Sequence, residues 1–248
     1  MGQLEGKVAI VTGSNTGIGK GIAEVFAKEG ATVVINGRRK EMIDTVVASI
    51  KADGGNALAV QGDVTKEAEV IALFEKTIST LGKVDILVNN AGIATNTPTW
   101  QMTLAQWQSV VDVNLTAAFL CSREAFKFMK DHGGGRIINI GSISAQTPRT
   151  NSAPYAATKM AIEGLTRSLT LDGRPYNIVS SVIHTGPTAS NFNAARGGPG
   201  PGKTPADFIM YPHDLGRLAT LMCSLPPEVN LFSSIILPNH MPSFIGRG

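Results

Sequence analysis

The sequence predicts an α/β protein whose parallel sheet of about seven strands carries helices on both faces, a doubly wound arrangement. Three observations lead to this prediction. Short apolar runs alternate with helical patterns along nearly the whole chain. The first run leads directly into a glycine-rich turn and an amphipathic segment. No linker or internal repeat divides the 248 residues, so we expect a single domain over 1–248.

Aliphatic runs bounded by turn residues predict the strands, which fall at 7–12, 31–36, 56–61, 84–89, 135–140, 177–183 and 232–237. Helical periodicity occupies the intervals between them. The helices predicted around 103–130 and 153–172 have extended apolar faces, as expected if they also pair with a neighbouring subunit.

The turn after the first strand carries three glycines in the pattern Gly-x-x-x-Gly-x-Gly. Gly13 suits a tight turn, Gly17 a close approach to a ligand, and Gly19 the packing of helix against strand. A strand, a glycine-rich turn and a helix together form the setting in which backbone N–H groups receive a pyrophosphate. The predicted cofactor contacts in this turn are therefore Gly13, Asn15, Thr16, Gly17, Ile18 and Gly19. A turn without a ligand is the alternative interpretation.

Tyr155 and Lys159 lie one helical turn apart, and residues at i and i+4 are neighbours on a helix face. A phenol titrates near ~10, so proton transfer near neutral pH requires a pKa shift worth about 3–4 kcal/mol. A unit charge at ~4 Å supplies about that much in a partly screened site. The pair therefore suits proton donation to a carbonyl. The alternative is an exposed helix face without chemistry.

Composition and charge exclude several other classes of protein. The formal net charge is only +3 and the cations are scattered, which argues against a nucleic-acid partner. The N-terminus lacks the features of a secretory signal, and no apolar run is long enough to span a membrane. Cys121 and Cys223 fall in apolar helical segments and are interpreted as buried thiols, and no spacing suggests a metal site. We expect a cytoplasmic protein.

Further motifs follow in a fixed order along the chain: Asp63-Val64 after a strand, Asn89-Asn90-Ala91-Gly92 after another, Asn114 within Val113-Asn114-Leu115, and Ser142 after the fifth strand. Together with the glycine turn and Tyr155-x-x-x-Lys159, they resemble the short-chain dehydrogenase/reductase family from about residue 4 to about residue 190. The resemblance implies a Rossmann-type sheet. It also implies an oligomer, which we expect to be a homotetramer, with a homodimer as the other possibility.

The resemblance also implies the catalytic roles. Tyr155 would exchange a proton with the substrate oxygen while the nicotinamide exchanges hydride with the carbon. Lys159 would lower the pKa of Tyr155 and hydrogen-bond the nicotinamide ribose. Ser142 would hold the carbonyl oxygen, with Ser144 as a nearby competitor for that role. Asn114 would lie at a helix irregularity, where its backbone carbonyl binds a water in a proton relay to Lys159.

The cofactor is predicted to be NADP(H). NAD-dependent enzymes usually place a carboxylate near the position of Gly37, and here cations follow instead. Positive charge at the start of the next helix is unfavourable, and a bound 2′-phosphate would relieve it. We expect Arg38 as the main phosphate contact and Arg39 as a secondary one, although a solvated surface cluster is the alternative. The resemblance adds Asp63, Val64, Asn90, Gly92, Gly186 and Thr188 as cofactor contacts. Asn90 has an equally plausible structural role.

The substrate contacts are predicted less sharply. Ser142, Gln146, Tyr155 and His184 are the main candidates, although a structural role for His184 is equally acceptable. Other candidates for the pocket are Ala94, Pro148, Asn151, Phe192 and Tyr211, with Arg149 and Arg196 available to a carboxylate. The Gly/Pro-rich segment at about 189–212 is either a substrate lid or an ordinary surface loop. Thr185 stands where the family usually has proline, which leaves the nicotinamide contacts less certain.

The function predicted from the sequence is NADP(H)-dependent hydride transfer between nicotinamide and a small carbonyl or secondary alcohol substrate. Three substrate types remain open: a ketone, an aldehyde or a β-keto compound. An inactive, NADP-binding regulatory member of the family is the alternative, but Asn114, Ser142, Tyr155 and Lys159 are all present, which argues for chemistry. An epimerase or a dehydratase is a third interpretation. It is disfavoured because the chain leaves no room for a larger C-terminal substrate domain.

Overall fold

The computed structural model describes residues 2–190, 192, 208–241 and 244–245. Its centre is a sheet of seven parallel strands in the order β3-β2-β1-β4-β5-β6-β7. The strands are β1 (Val8–Val11), β2 (Thr32–Gly37), β3 (Asn56–Gln61), β4 (Ile86–Asn89), β5 (Gly135–Ile140), β6 (Ile178–Thr185) and β7 (Ser233–Ile236). Each of the seven predicted strands is present, and the largest differences in their bounds are two residues. The predicted fold class is confirmed.

Helices cover both faces of this sheet. They are α1 (Gly17–Lys28), α2 (Lys40–Ala52), α3 (Glu67–Leu81), α4 (Leu104–Val111), α5 (Ala117–Met129), α6 (Ala153–Gly173) and α7 (Pro212–Ser224). Short 3₁₀ turns lie at Thr99–Gln101, Ile143–Ala145 and Arg174–Tyr176. A π-helical segment, Asp112–Thr116, joins α4 to α5, so the helix predicted over 103–130 is divided into parts.

The core consists of two apolar layers separated by the sheet. Ala9 and Val11 of β1 point into the layer formed with α1, α2 and α7. Val8 and Ile10 of the same strand point into the layer formed with α3 and α5. Successive strand residues face opposite sides of a sheet, so strands buried on both faces must be apolar at every position. This explains why β1 reads as an uninterrupted aliphatic run.

The strand order reverses between β1 and β4, whose neighbouring strands lead outward in opposite directions. In open α/β sheets, the crevice beyond the carboxyl ends of the strands at such a reversal is the usual ligand site. The turn after β1 and the loop after β4 meet at this crevice. Within the described part of the chain, none of the helices combines the length and hydrophobicity that crossing a lipid bilayer requires.

Candidate active site

A cleft of about 930 Å³ runs along the carboxyl edge of the sheet. Most of the residues predicted for the site line it: Gly13, Asn15, Thr16, Gly17, Ile18, Arg38, Arg39, Asp63, Val64, Asn90, Gly92, Ser142, Tyr155, Lys159, Gly186 and Thr188. Ala94, Arg149 and Phe192 line it as well. Residues far apart in sequence therefore share one cavity, with the glycine turn and Arg38 towards one end and Tyr155 towards the other.

The glycine turn is built by backbone geometry that other residues adopt poorly. Gly13 and Gly17 have φ values of 61° and 57°, in the left-handed region. A Cβ atom on Gly19 would lie 2.3 Å from Nδ2 of Asn90, so this glycine permits close packing of α1, as predicted. Gly19 itself does not line the cleft, and its contact with a cofactor stays a prediction.

Asn90 fastens the glycine turn to the loop after β4. Its Nδ2 donates to the backbone carbonyls of Thr12 and Gly13, at 2.9 and 3.1 Å. The backbone N–H of Asn90 in turn donates to the Thr12 hydroxyl at 3.0 Å. The structural role that the sequence left open for Asn90 is therefore present, and the residue also lines the cleft.

The N-terminus of α1 opens into the cleft and carries positive potential. Thr16 occupies the cap position without making a side-chain cap, and the first turn has no acidic residue. Its backbone N–H groups therefore lack the side-chain acceptor that usually satisfies them. Such a terminus is suited to an anion, and Thr16, Gly17 and Ile18 line the cleft at this point.

The end of β2 is narrow at Gly37 and is followed by cations. A Cβ atom on Gly37 would lie 3.0 Å from Oδ1 of Asn15, which leaves little space for a carboxylate side chain. Arg38 is exposed and lines the cleft, and α2 begins at Lys40 without a side-chain cap. Lys40 pairs with Asp44, whereas no carboxylate in the described residues forms an ion pair with Arg38. The end of β2 therefore presents positive charge, and no carboxylate side chain, to the cleft.

Asp63, predicted for the adenine end, is held as a carboxylate. Burial raises its pKa, but hydrogen bonds from the backbone and hydroxyl of Thr65 outweigh this effect. These bonds measure 3.0 and 2.8 Å, and the charges of Arg38 and Lys66 lower the pKa further. Asp63 is thus an ionised hydrogen-bond acceptor beside the predicted phosphate contact.

Lys159 is almost completely buried, with 5% of its surface exposed. Its Nζ donates to the carbonyl of Ile140 at 2.6 Å and lies 5.7 Å from the centre of the Tyr155 ring. Burial lowers the pKa of Lys159 from 10.5 to about 8. The Tyr155 ring is also buried and contacts the Phe192 ring, with centres 5.6 Å apart. An ammonium that sits this close to a phenol favours the ionised phenol.

Ser142 follows β5 and begins a 3₁₀ turn. Its Oγ accepts a hydrogen bond from the backbone N–H of Ser144 at 3.1 Å, and no described group accepts the hydroxyl hydrogen. A hydroxyl that already accepts one bond still has a hydrogen to donate. Ser142 is therefore able to donate to an oxygen in the cleft. Ser144, the predicted competitor, does not line the cleft.

Asn114 lies in the π-helical segment, which matches the predicted helix irregularity. Its side-chain amide forms two bonds with the backbone of Ile93, accepting at 2.8 Å and donating at 2.9 Å. Asn114 does not line the cleft, but the loop that it holds does, through Gly92 and Ile93. A Cβ atom on Gly92 would come within 4.0 Å of Nζ of Lys159, so this loop also confines the ammonium. π-helical insertions of this kind are frequent at functional sites.

Two predicted substrate contacts are not supported by the geometry. Gln146 is exposed and does not line the cleft. His184 is only 1% exposed and lies behind Ser142, where its Nδ1 is 3.1 Å from the Ser142 carbonyl oxygen. Pro148, Asn151 and Tyr211 are also absent from the cleft lining. Most of the predicted lid at about 189–212, including Arg196, lies outside the described residues. Of the lid residues that the structure does describe, Ser190 and Phe192 line the cleft.

Several lining residues carry no local sequence signal. Met42 contacts Nδ2 of Asn15 through its sulfur at 3.8 Å, and Ile93 and Val113 contribute apolar surface. At the end of the cleft that is predicted to receive the nicotinamide, the Thr188 hydroxyl is 2.9 Å from that of Thr185. Thr185, which stands where the family usually has proline, therefore holds the Thr188 side chain in place. Periodicity would have marked Met42, Ile93 and Val113 as ordinary core or loop. The described residues contain no cluster of His, Cys, Asp and Glu that is suited to a metal.

The parallel sheet, the anion-binding turn and the buried phenol–ammonium pair define a dinucleotide-binding protein of the Rossmann type. A family model described as short chain dehydrogenase matches residues 7–198. The chain belongs to this family, whose members are oxidoreductases that bind a nicotinamide cofactor.

Individual relatives support this assignment. A 3-oxoacyl-[acyl-carrier-protein] reductase from Synechocystis sp. is 38% identical over 193 residues, which cover 77% of this chain and 78% of the relative. A 2-dehydro-3-deoxy-D-gluconate 5-dehydrogenase from Formosa agariphila is 35% identical over 192 residues, covering 77% and 73%. The structure of a 7α-hydroxysteroid dehydrogenase complexed with NADH and 7-oxo glycochenodeoxycholic acid superposes with a TM-score of 0.87 at 31% identity, covering 96% of this chain and 95% of the other.

Proposed function

We propose that this protein is an NADP(H)-dependent oxidoreductase that interconverts a carbonyl and a secondary alcohol, with Tyr155 as the general acid and base. The observation that carries the proposal is that Tyr155, Lys159 and Ser142 line the same cleft as the glycine turn and Arg38. A proton donor and a cofactor site in one cavity are what carbonyl reduction requires. The bound nicotinamide supplies the hydride to the carbonyl carbon or accepts it from the alcohol.

The protein's own side chains then orient the substrate oxygen and transfer the proton. Ser142 donates its free hydroxyl hydrogen to the carbonyl oxygen and orients it towards Tyr155. Tyr155 donates its phenolic proton to the oxygen as negative charge develops there, and Lys159 stabilises the resulting tyrosinate. In the direction of oxidation the tyrosinate removes the proton from the alcohol. The loop held by Asn114 confines Lys159 beside Tyr155.

The preference for NADP(H) rests on charge and space at the end of β2. Arg38 offers a guanidinium that suits a phosphate, and the close approach of Asn15 to Gly37 disfavours the carboxylate that an NAD-dependent site uses. The 7α-hydroxysteroid dehydrogenase to which the chain is similar was solved in complex with NADH, so the fold also accommodates a cofactor without the 2′-phosphate. The cations at positions 38 and 39 favour NADP(H) here.

A panel of ketones and alcohols, assayed with NADPH and NADH by the absorbance of the reduced nicotinamide, tests the proposal. We expect turnover with NADPH and a higher Kd for NADH. Arg38→Ala should raise the Kd for NADPH by about 10-fold, equivalent to one charge-assisted hydrogen bond of about 1.5 kcal/mol, and leave that for NADH unchanged. Arg217→Ala, at an arginine that pairs with Asp214 outside the cleft, is the matched control.

Equal affinity for both cofactors, or an unchanged preference in Arg38→Ala, contradicts the phosphate contact. Tight NADPH binding without turnover on any compound of the panel favours the inactive regulatory alternative. The panel thus tests the proposed cofactor preference separately from the proposed reaction.

We further propose that the substrate carries an anionic group. Arg149 and Lys159 are the charged residues that line the cleft beyond the adenosine end, in the part of the chain that the structure describes. Arg149 is exposed and forms no ion pair with a described carboxylate. The names of two similar proteins also refer to acids, a deoxygluconate derivative and a conjugated bile acid. A substrate carboxylate is the natural partner of a free guanidinium.

Keto acids compared with their methyl esters test this part of the proposal. We expect the acid to have a KM about tenfold lower than its ester, and Arg149→Met to remove that difference while leaving activity on the ester intact. Arg174→Met, at an arginine outside the cleft lining, should keep the preference. Equal KM values for acid and ester in the wild type contradict the anionic substrate without affecting the hydride-transfer proposal.

A further inference from the structure

We infer that His184 is a positioning residue that fixes the direction of the Ser142 hydroxyl by holding the Ser142 backbone. The inference rests on the proposed function, because it assigns a task to the residues behind the proposed catalytic serine. It replaces the direct substrate contact predicted from the sequence, which the burial of His184 does not allow.

One ring nitrogen of His184 is committed to Ser142. A backbone carbonyl only accepts hydrogen bonds, so Nδ1, 3.1 Å from the Ser142 oxygen, must carry the hydrogen. The ring lies directly against the chain before Ser142, since a Cβ atom on Gly141 would be 2.7 Å from Nδ1. A side chain at position 141 would displace the ring. The sequence Gly141-Ser142 and His184 therefore form one packed unit.

The other ring nitrogen faces the helix that carries Tyr155. Nε2 of His184 lies 3.4 Å from Oε2 of Glu163, and Oε1 of Glu163 accepts from Arg167 at 2.7 Å. Nε2 has no aligned hydrogen bond with any described residue, and its approach to Glu163 is attractive only when this nitrogen also carries a hydrogen. Glu163 lies one turn beyond Lys159 on α6. His184 consequently lies between the backbone of Ser142 and the helix that carries the proton donor.

A second contact ties the same short segment to the same helix. Lys159 donates to the carbonyl of Ile140, two residues before Ser142. The N–H of Gly141 donates to the carbonyl of Ile183, the residue before His184, at 2.7 Å. Residues 140, 141 and 142 are thus held by Lys159, β6 and His184 in turn. Of these three contacts, only the one from His184 acts on Ser142 itself, whose carbonyl oxygen also accepts from the N–H of Ala145 at 3.0 Å.

Removing the His184 donor should disturb catalysis more than binding or folding. Asn and Leu have nearly the same shape, and an Asn amide at position 184 places an N–H close to the site of Nδ1, so the two variants form a matched pair. We expect His184→Leu to lower kcat about tenfold, with KM and the Kd for NADPH changed less than about twofold. His184→Asn should retain kcat within about threefold of the wild type.

Two controls separate positioning from general damage to β6. Ser180→Ala removes a buried hydroxyl without a described partner from the same strand and should leave kcat unchanged. Thermal unfolding of each variant reports whether it folds. Should His184→Leu not fold, His184→Val takes its place, because a β-branched side chain suits a buried strand.

A double-mutant cycle with Ser142→Ala decides the inference. If His184 acts through Ser142, His184→Leu costs nothing further in the Ser142→Ala background, and the double variant matches Ser142→Ala within about twofold. An additional tenfold loss in that background, or equal kcat values for the Asn and Leu variants, overturns the positioning role. A Ser142→Ala variant with full activity would instead overturn the assignment of Ser142 in the proposed function.

Discussion

Lys159 shows at the scale of one residue how a catalytic group opposes stability. Its ammonium is buried against the carbonyl of Ile140, and burial lowers its pKa from 10.5 to about 8. Each pKa unit corresponds to ~1.4 kcal/mol, so placing this charge inside the fold costs about 3 kcal/mol when both states are protonated. The proposed chemistry requires the charge at that position, whereas the stability of the fold does not.

Replacing Lys159 by methionine should therefore stabilise the protein and abolish turnover. Near neutral pH we expect the free energy of unfolding to rise by about 1–3 kcal/mol, since a hydrophobic side chain of similar length replaces a buried charge. Between pH 8 and 10.5 the unfolded chain binds more protons at Lys159 than the folded chain. The wild type therefore gains stability with rising pH, and its difference from the variant closes.

Urea unfolding of the wild type and Lys159→Met across this pH range measures both effects. Lys76→Met, at an exposed lysine of α3, is the control and should show no pH-dependent difference. A Lys159→Met protein that is less stable than the wild type at neutral pH would contradict the burial cost.

Single residues also differ in how much of their role the sequence predicts. The pair Tyr155 and Lys159 was predicted from residue type and spacing, because a short pattern carries its chemistry, whereas Ser142 was predicted from the family resemblance; each lines the cleft. For His184 the sequence left a substrate contact and a structural role open, and its burial supports the structural role. His184 is the second-to-last residue of β6, a strand buried at all eight positions, so its ring is buried, and nothing in the neighbouring sequence indicates that burial. Gln146 does not contact the predicted substrate site because its side chain is exposed to solvent outside the cleft.

The elements that form the site differ in how well the sequence alone predicts them. The turn between β1 and α1 was predictable because left-handed backbone demands glycine locally. The π-helical segment at Asp112–Thr116 interrupts a helix whose apolar periodicity continues through it. Its position depends on the bonds from Asn114 to Ile93, 21 residues away in sequence. Such long-range contacts are invisible to a periodic pattern, and only the family resemblance pointed to an irregularity there.

Two glycines in helices should respond to alanine in opposite ways. A Cβ atom at Gly19 would lie 2.3 Å from Nδ2 of Asn90, so Gly19→Ala should push α1 from the turn, destabilise the fold by about 1–3 kcal/mol and weaken NADPH binding. Gly164 in α6 is exposed and has no atom within 4 Å of such a Cβ. Gly164→Ala should stabilise the fold by about 0.5–1 kcal/mol through helix propensity.

Chemical denaturation and NADPH titration of the two glycine variants check this contrast. Unimpaired NADPH binding by Gly19→Ala would show that the turn tolerates displacement and that its packing against Asn90 does not shape the cofactor site. A loss of stability in Gly164→Ala would mean that α6 is constrained there by contacts beyond this chain.

At the scale of the whole molecule, all seven strands could be located because a parallel sheet covered on both faces requires continuous aliphatic runs. The aliphatic runs do not determine the order of the strands, which is predicted only from the resemblance to known folds. The outer surface carries a different signal. Several large apolar side chains remain exposed on and beside the helices whose wide apolar faces were noted in the sequence: Trp100, Leu104, Phe119, Met160 and Leu171. Exposed apolar groups of this size suit contacts between subunits.

We expect the protein to be a homotetramer that depends on these helices. Phe119 of α5 is 47% exposed, and a glutamate there would bury a charge in a subunit contact. Phe119→Glu should therefore lower the mass measured by light scattering from four times 26.1 kDa towards a dimer or monomer, with the far-ultraviolet dichroism unchanged. Lys76→Glu on α3 is the control for added negative charge. A wild-type monomer would contradict the prediction.

The central claim is that Tyr155 transfers the proton in a cleft that binds NADPH independently of it. The most direct measurement is the turnover of Tyr155→Phe together with its Kd for NADPH, using a carbonyl compound that the wild type reduces. Phenylalanine keeps the ring and its contact with Phe192 but removes the hydroxyl. We predict that turnover falls by at least about 100-fold while the Kd changes less than about threefold. Turnover within tenfold of the wild type would contradict the account.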